Sequence, residues 1–154
     1  MRKIEEAEVC TSELEQQFGQ RLHSVVLFGS VARQEDQSDS DIDLLVVLEG
    51  LPRGRYARHQ LLDSVYHKML EKGCHTPINV HLKTPEEAQY ITLMYLDFPQ
   101  DARLLFDRGG FFKRILERVE EKIRAAGAIK KRWGKFHYWD LKPGAHAEET
   151  FDIL

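Results

Sequence analysis

Leu27-Phe28-Gly29-Ser30-Val31-Ala32-Arg33 is followed by the triplet Asp41-Ile42-Asp43, with ten residues between Ser30 and Asp41. Val25 to Phe28 is an apolar run of strand type, and a Gly-Ser turn at its end can start a helix whose free N–H groups face a polyphosphate. Glycine lets the backbone approach closely. Asp41 and Asp43 stand two apart at the head of a second apolar run, Leu44 to Leu48. On an extended chain both side chains leave the same face, about 7 Å apart along the strand. Two hard oxygen donors so placed suit Mg²⁺; without a divalent cation between, they would repel a nucleotide's phosphates. A phosphate-binding turn joined to strand-borne carboxylates points to metal-dependent chemistry on a nucleoside triphosphate.

The rest of the chain is compatible with one domain built around this segment. It has 154 residues, 42% hydrophobic and 31% charged, which suits a single folded unit and is too apolar for disorder. The net charge of −3 gives no global attraction to nucleic acid or anionic membrane, so polyanion binding must be local. Cys10 and Cys74 lack metal-type spacing and are too few for a disulfide scaffold, which favours reduced thiols in a cytoplasm. The stretch from Arg2 to Glu8 is charged and no apolar run is long enough to span a bilayer. A soluble, cytoplasmic protein with no membrane partner is expected.

Ile4, Ala7, Thr11, Leu14 and Phe18 recur at steps of three or four, predicting a surface-packed helix over Arg2 to Phe18 with a broad acidic face. A strand from Leu22 to Phe28, a short helix at Val31 to Arg33, a polar loop from Gln34 to Ser40 and a strand from Ile42 to Leu48 follow. Gly50, Pro52 and Gly54 break the chain before a helix from Tyr56 to Lys72, with Leu61, Leu62, Val65 and Met69 inward and Gly73 as its stop. Ile78 to Leu82 is a third strand. Thr84, Pro85 and Glu87 form a helix start, with a threonine cap, a first-turn proline and a glutamate placed to bond back. Helical pattern resumes over Pro99 to Phe106 and over Phe111 to Ala126, the latter with Phe112, Ile115, Leu116, Val119 and Ile123 on one face. Ile129 to Leu154 is aromatic and basic, has a turn at Pro143 and Gly144, and reads as strand or irregular.

Gly29, Ser30, Ala32 and Arg33, then Asp41 and Asp43, resemble the signature of the DNA polymerase beta-like nucleotidyltransferase superfamily, in particular its minimal nucleotidyltransferases (MNT). The match covers residues 22–48 well, the next helix and third strand loosely, and the segment after residue 100 not by motif. The resemblance implies an α+β (mixed α/β) nucleotidyltransferase fold: a small mixed β-sheet flanked by helices, with a core over 1–106. Residues 107–154 would be a helical, aromatic-rich C-terminal extension packed on the same domain. It implies Gly29, Ser30 and Arg33 at the triphosphate, Asp41 and Asp43 as the catalytic pair holding Mg²⁺, and transfer of a nucleoside monophosphate. The donor would be ATP, giving AMP to a hydroxyl on a protein or small molecule. Small members are often encoded beside HEPN proteins as antitoxins, so a HEPN-type partner is implied as well. Homo-oligomerisation is left open.

Two departures from the family pattern stand out. Gln34 occupies a position where the family often has glycine, and the third strand, Ile78-Asn79-Val80-His81-Leu82, carries no acid where active members usually place a third carboxylate. Asn79 or His81 stands in its place, and neutral histidine is a poor ligand for magnesium. A nucleotide-binding or antitoxin-like module that neutralises a partner by binding therefore stands beside the enzyme as an alternative. Arg33 has two open uses, neutralising phosphate or pairing with Glu35 or Asp36. His81 reads as a half-buried, hydrogen-bonded histidine before it reads as a ligand or proton acceptor. Lys130 to Trp139 interleaves cations with rings, as base-stacking surfaces do. A terminal strand covering the core is the favoured reading there, nucleic acid the unfavoured one. Arg132 and His137 have the spacing of HEPN ribonucleases, which is read as coincidence. No Walker A loop, Gly-x-Gly-x-x-Gly, paired-cysteine zinc pattern or Gly-x-Ser-x-Gly elbow is present.

Overall fold

The computed structural model describes residues 1–143. Strands β1 (Leu22–Phe28), β2 (Ile42–Leu48), β3 (Ile78–Lys83) and β4 (Arg103–Asp107) form one sheet in the order β3-β2-β1-β4. β1 is antiparallel to β2 and β4, whereas β2 and β3 are parallel. This is the mixed sheet that the family resemblance implied. Helices α1 (Lys3–Phe18), α2 (Gly29–Ala32), α3 (Arg55–Gln60), α4 (Asp63–Glu71), α5 (Pro85–Ala88), α6 (Phe98–Asp101) and α7 (Phe111–Ala126) surround it. Parallel strands cannot be joined by a hairpin, and α3 with α4 supplies the crossover between β2 and β3.

Alternation along β2 decides the layers. Ile42, Leu44, Val46 and Leu48 join a cluster with Ala7, Cys10, Leu14 and Phe18 of α1 and Val65 and Met69 of α4. Leu45 and Val47 belong with Val26 to the opposite cluster, which holds Tyr95, Phe98 and Phe112, Ile115 and Val119 of α7. Covered on both faces, β2 is buried at every position except Asp43. Phe112, Ile115 and Val119 are at most 1% exposed, and burying each contributes about 1.5–3 kcal/mol. The helix start at Thr84 forms as expected: its hydroxyl accepts the Glu87 N–H at 3.1 Å, and Glu87 accepts the Thr84 N–H at 2.8 Å.

Four local expectations are corrected. The helix over Tyr56 to Lys72 is two, breaking at Leu61 and Leu62. The break turns α4 so that Leu62, Val65 and Met69 pack toward α1, while α3 buries none of its residues fully. Pro99 to Phe106 is α6 followed by β4, because β1 has a second edge to satisfy: Val25 pairs with Phe106 and Val26 with Leu104. The acidic face of α1 is not wholly solvated, since Glu6 and Glu13 are buried. Glu6 Oε1 accepts the N–H groups of His75 (2.9 Å) and Thr76 (3.2 Å), and Glu13 pairs with Lys72.

The fourth correction concerns the basic aromatic run. Among the described residues β5 (Ile129–Trp133) and β6 (Phe136–Asp140) pair only with each other, as a two-stranded hairpin, and are not strands of the core sheet. Trp133 and Phe136 are 79% and 78% exposed. The left-handed Gly134 (φ 62°) folds the strand back on itself instead of along the sheet. Lys130 Nζ and Trp139 Nε1 tie the hairpin to the body, both at 2.9 Å from Oδ1 of Asp97. Arg132 and His137 are simply register partners in it. Gly144 to Leu154, including half of the turn read at Pro143, lie outside the described residues. Cys10 and Cys74 are buried free thiols. Among the described residues no helix is long and apolar enough to cross a membrane.

Candidate functional site

β1 ends at Phe28, which pairs with Asp43 of β2. The chain then turns at Gly29 with φ 77°, a left-handed value that disfavours any side chain. Space forbids one too: a Cβ on Gly29 would collide with Oδ2 of Asp43 and lie 3.1 Å from its Cγ. The turn and the carboxylate are therefore packed directly together. Ser30 is half-buried in α2, its carbonyl accepting the Glu35 N–H at 2.9 Å. Asp41 is exposed, one residue ahead of β2 and two ahead of the half-buried Asp43.

Distant groups hold this end of the sheet. Lys3 of α1 donates to the carbonyls of Gln37 (2.6 Å) and Ser40 (2.8 Å), fixing the polar loop that delivers Asp41. The Ile42 N–H donates to the Pro77 carbonyl at 3.0 Å, and buried Glu6 orders the 75–76 backbone beside it. Glu6 and Lys3 were missed by sequence reasoning because a helix face shows its period but not its neighbours.

On β3, Asn79 lies opposite Asp43 in the parallel register and donates Nδ2–H to its Oδ1 at 3.3 Å. Of the two β3 residues that could stand in for a third acid, Asn79 is the one whose amide contacts the second aspartate. His81 lies two residues further along, its ring 5.5 Å from that of Phe28. Burial lowers the His81 pKa; the Asp43 charge opposes this, while Lys83, Arg55 and His59 add to it. Arg33 is exposed, with Nε 3.1 Å from Oε2 of Glu35. Gln34 has φ 59°, the one non-glycine among the described residues with a positive φ, at the position where glycine was expected. Among the described residues no group of three or more His, Cys, Asp or Glu gathers as a metal cage. The site offers carboxylates alone, a donor set that fits magnesium when phosphate and water oxygens complete the shell.

The nucleotidyltransferase domain family matches residues 10–107, from within α1 to the end of β4. The chain belongs to this family. The protein is thus a nucleotidyltransferase, an enzyme that moves a nucleoside monophosphate. It is 32% identical to a Methanocaldococcus jannaschii protein named "Putative protein adenylyltransferase MJ1305", over 77% of this chain and 84% of that one. Two solved structures share its fold. One is a chain of a toxin-antitoxin crystallised with AMP-PNP, at 15% identity and TM-score 0.54, covering 77% of this chain and 87% of the other. The second is a chain of the toxin-antitoxin MntA-HepT, at 14% identity and TM-score 0.50, covering 80% and 88%.

Beside β3 this nucleotidyltransferase has a cleft of about 400 Å³, lined by Arg55, Arg58 and His59 of α3, His81 and Lys83 of β3, and Glu87 of α5. Apart from His81 and the capping Glu87, the sequence reading singled out none of these. A signal was present: Arg55, Arg58 and His59 stand at i, i+3 and i+4, on one helix face.

Proposed function

We propose that this nucleotidyltransferase transfers AMP from ATP to a hydroxyl on a protein, in the cytoplasm, with Gly29, Ser30 and Arg33 at the triphosphate and Asp41 and Asp43 holding Mg²⁺. The packing of the Asp43 carboxylate against the Gly29 turn is the observation that supports this reading, because a glycine turn able to take phosphate and a carboxylate able to ligate a cation are in direct contact. Arg33 would exchange Glu35 for a phosphate; an exposed ion pair is worth only about 0–1 kcal/mol and offers little resistance. Bound between the aspartates and the nucleotide, Mg²⁺ would polarise the α-phosphate and neutralise the leaving pyrophosphate. Asn79 keeps Asp43 oriented for that task. The acceptor oxygen bonds to the α-phosphorus, the bond to the β-phosphate breaks, and pyrophosphate leaves. The hydroxyl proton would pass to His81, two residues beyond Asn79 on β3, where burial disfavours the charged ring. The name of the M. jannaschii relative supports a protein acceptor, and the MNT resemblance makes a HEPN-type protein the partner to try first.

Incubation with ATP labelled at the α-phosphate, Mg²⁺ and a HEPN-type protein tests this. Label on the protein, with equimolar pyrophosphate, is expected, and both vanish in Asp43→Ala. One observation favours the second reading, binding without turnover: an amide, not an acid, faces Asp43 from β3. A protein that binds ATP and its partner but never releases pyrophosphate would establish that reading instead.

A further inference from the structure

The chain's net charge is −3, yet the cleft beside β3 has the opposite sign. Arg55, Arg58 and Lys83 set three fixed positive charges against one carboxylate, Glu87. Glu87 is already committed, its Oε1 accepting from Arg58 Nη1 at 2.7 Å and from the Thr84 N–H at 2.8 Å. Arg58 is held further by the Pro52 carbonyl, 2.7 Å from Nε, and forms a rigid wall. Among the described residues no carboxylate lies within ion-pair distance of Arg55, His59 or Lys83. Lys83 instead lies 5.0 Å from the centroid of the Tyr95 ring, half-buried. A partly desolvated ammonium that feels Glu87 only at a distance, with no carboxylate in ion-pair contact among the described residues, is costly, and an anion entering the cleft would offset that cost.

The place of the cleft in the sheet says which anion. Gly29 and Ser30 follow β1, on one side of Asp43, whereas the cleft opens along β3, on the other. Displacement at the α-phosphorus is in line, so the attacking oxygen arrives opposite the departing pyrophosphate. With the β- and γ-phosphates at the Gly29–Ser30 turn, the acceptor must come from the β3 side. The cleft is thus on the acceptor's path and away from the triphosphate. We infer that it is the acceptor subsite and selects an acidic polypeptide segment, one with glutamate or aspartate flanking the hydroxyl to be modified; this rests on the transfer reading above. Arg55 is the free arm of the subsite, since it is exposed at the start of α3, behind the left-handed Gly54 (φ 91°). Lys83 is its floor.

Short fluorescent peptides with a central tyrosine or serine, flanked by glutamate, glutamine or lysine, are titrated into the full chain, with ATP and Mg²⁺ binding measured in parallel. Glutamate-flanked peptides should bind about tenfold more tightly than glutamine-flanked ones, the worth of one charge-assisted hydrogen bond. Arg55→Glu, on an exposed position, should erase that preference and leave ATP affinity unchanged; Lys83→Met should weaken it without reversing it. Equal binding of the three peptides would overturn the inference. So would a loss of ATP affinity in Arg55→Glu, which would give the cleft to the triphosphate. Binding is read without turnover, so the two ideas fail separately. Acidic selectivity with no AMP transfer sinks the transfer reading, and equal labelling of acidic and neutral peptides sinks this one.

Discussion

β2 and the β5–β6 hairpin are both strands rich in large apolar side chains, and they meet opposite fates. Every residue of β2 except Asp43 is buried, whereas Trp133, Phe136 and Tyr138 of the hairpin are exposed. Composition separates them only in part: β2 carries one charged residue, Asp43, and the hairpin strands carry Lys130, Lys131, Arg132 and Asp140 among their aromatics. β2 has a strand on each edge and a helical layer on each face; among the described residues the hairpin strands pair with each other and are anchored through Asp97. A strand is buried by its neighbours, and the one polar side chain in β2, Asp43, stands at its only position that is not fully buried.

The largest effect should come from the covered region. Phe112→Ala empties a fully buried site and should cost about 3–5 kcal/mol in denaturant unfolding. Trp133→Ala should stay within about 0.5 kcal/mol. Equal costs would show that the hairpin is packed after all. Next in size, Asp43→Ala should lower pyrophosphate release by at least about a hundredfold. Gly29→Ala should do likewise, since its new methyl group displaces the same carboxylate. An active Gly29→Ala enzyme would break the link between turn and acid.

The anchor of the hairpin should respond to acid. Burial raises the Asp97 pKa, but hydrogen bonds from Lys130 and Trp139 outweigh it and hold the carboxyl below its ordinary 3.8. Stability from this anchor is therefore complete above pH 3.8 and is lost as the pH falls through the lower native value. Both tryptophans lie in the hairpin, so their emission reports its release. Asp97→Ala should show the released emission already at neutral pH. A small effect is also expected at Gln34, where a left-handed backbone costs about 1–2 kcal/mol for a side chain. Gln34→Gly relieves this but gains unfolded-state entropy, so stability should rise by less than about 1 kcal/mol.

Where the chain's own period was strong, its elements were legible. β1 and β2 match their expected spans, and α7 shows its buried face at Phe112, Ile115 and Val119. The capping residues of α5 mark its start, and Gly29 and Asp43, singled out together in the sequence, are in direct contact. Less visible were features that depend on a distant partner. Arg103 to Asp107 became a strand because β1 had an open edge. Asp107 shows the same dependence: it accepts from Ser24 Oγ at 2.7 Å and from the Phe112 N–H at 2.8 Å, joining β1 to the head of α7.

From sequence alone came three strands, a glycine turn and two aspartates in one phase, because periodicity, turn chemistry and residue type act over a few neighbouring positions; the mixed sheet was implied by the family resemblance. Only the tertiary structure decided that Asn79 faces Asp43, that Glu6 is buried beneath the loop ahead of β3, and that the cations of α3 and β3 line one cleft. Those contacts join residues dozens of positions apart. Their geometry follows from how the layers stack, which no local pattern encodes.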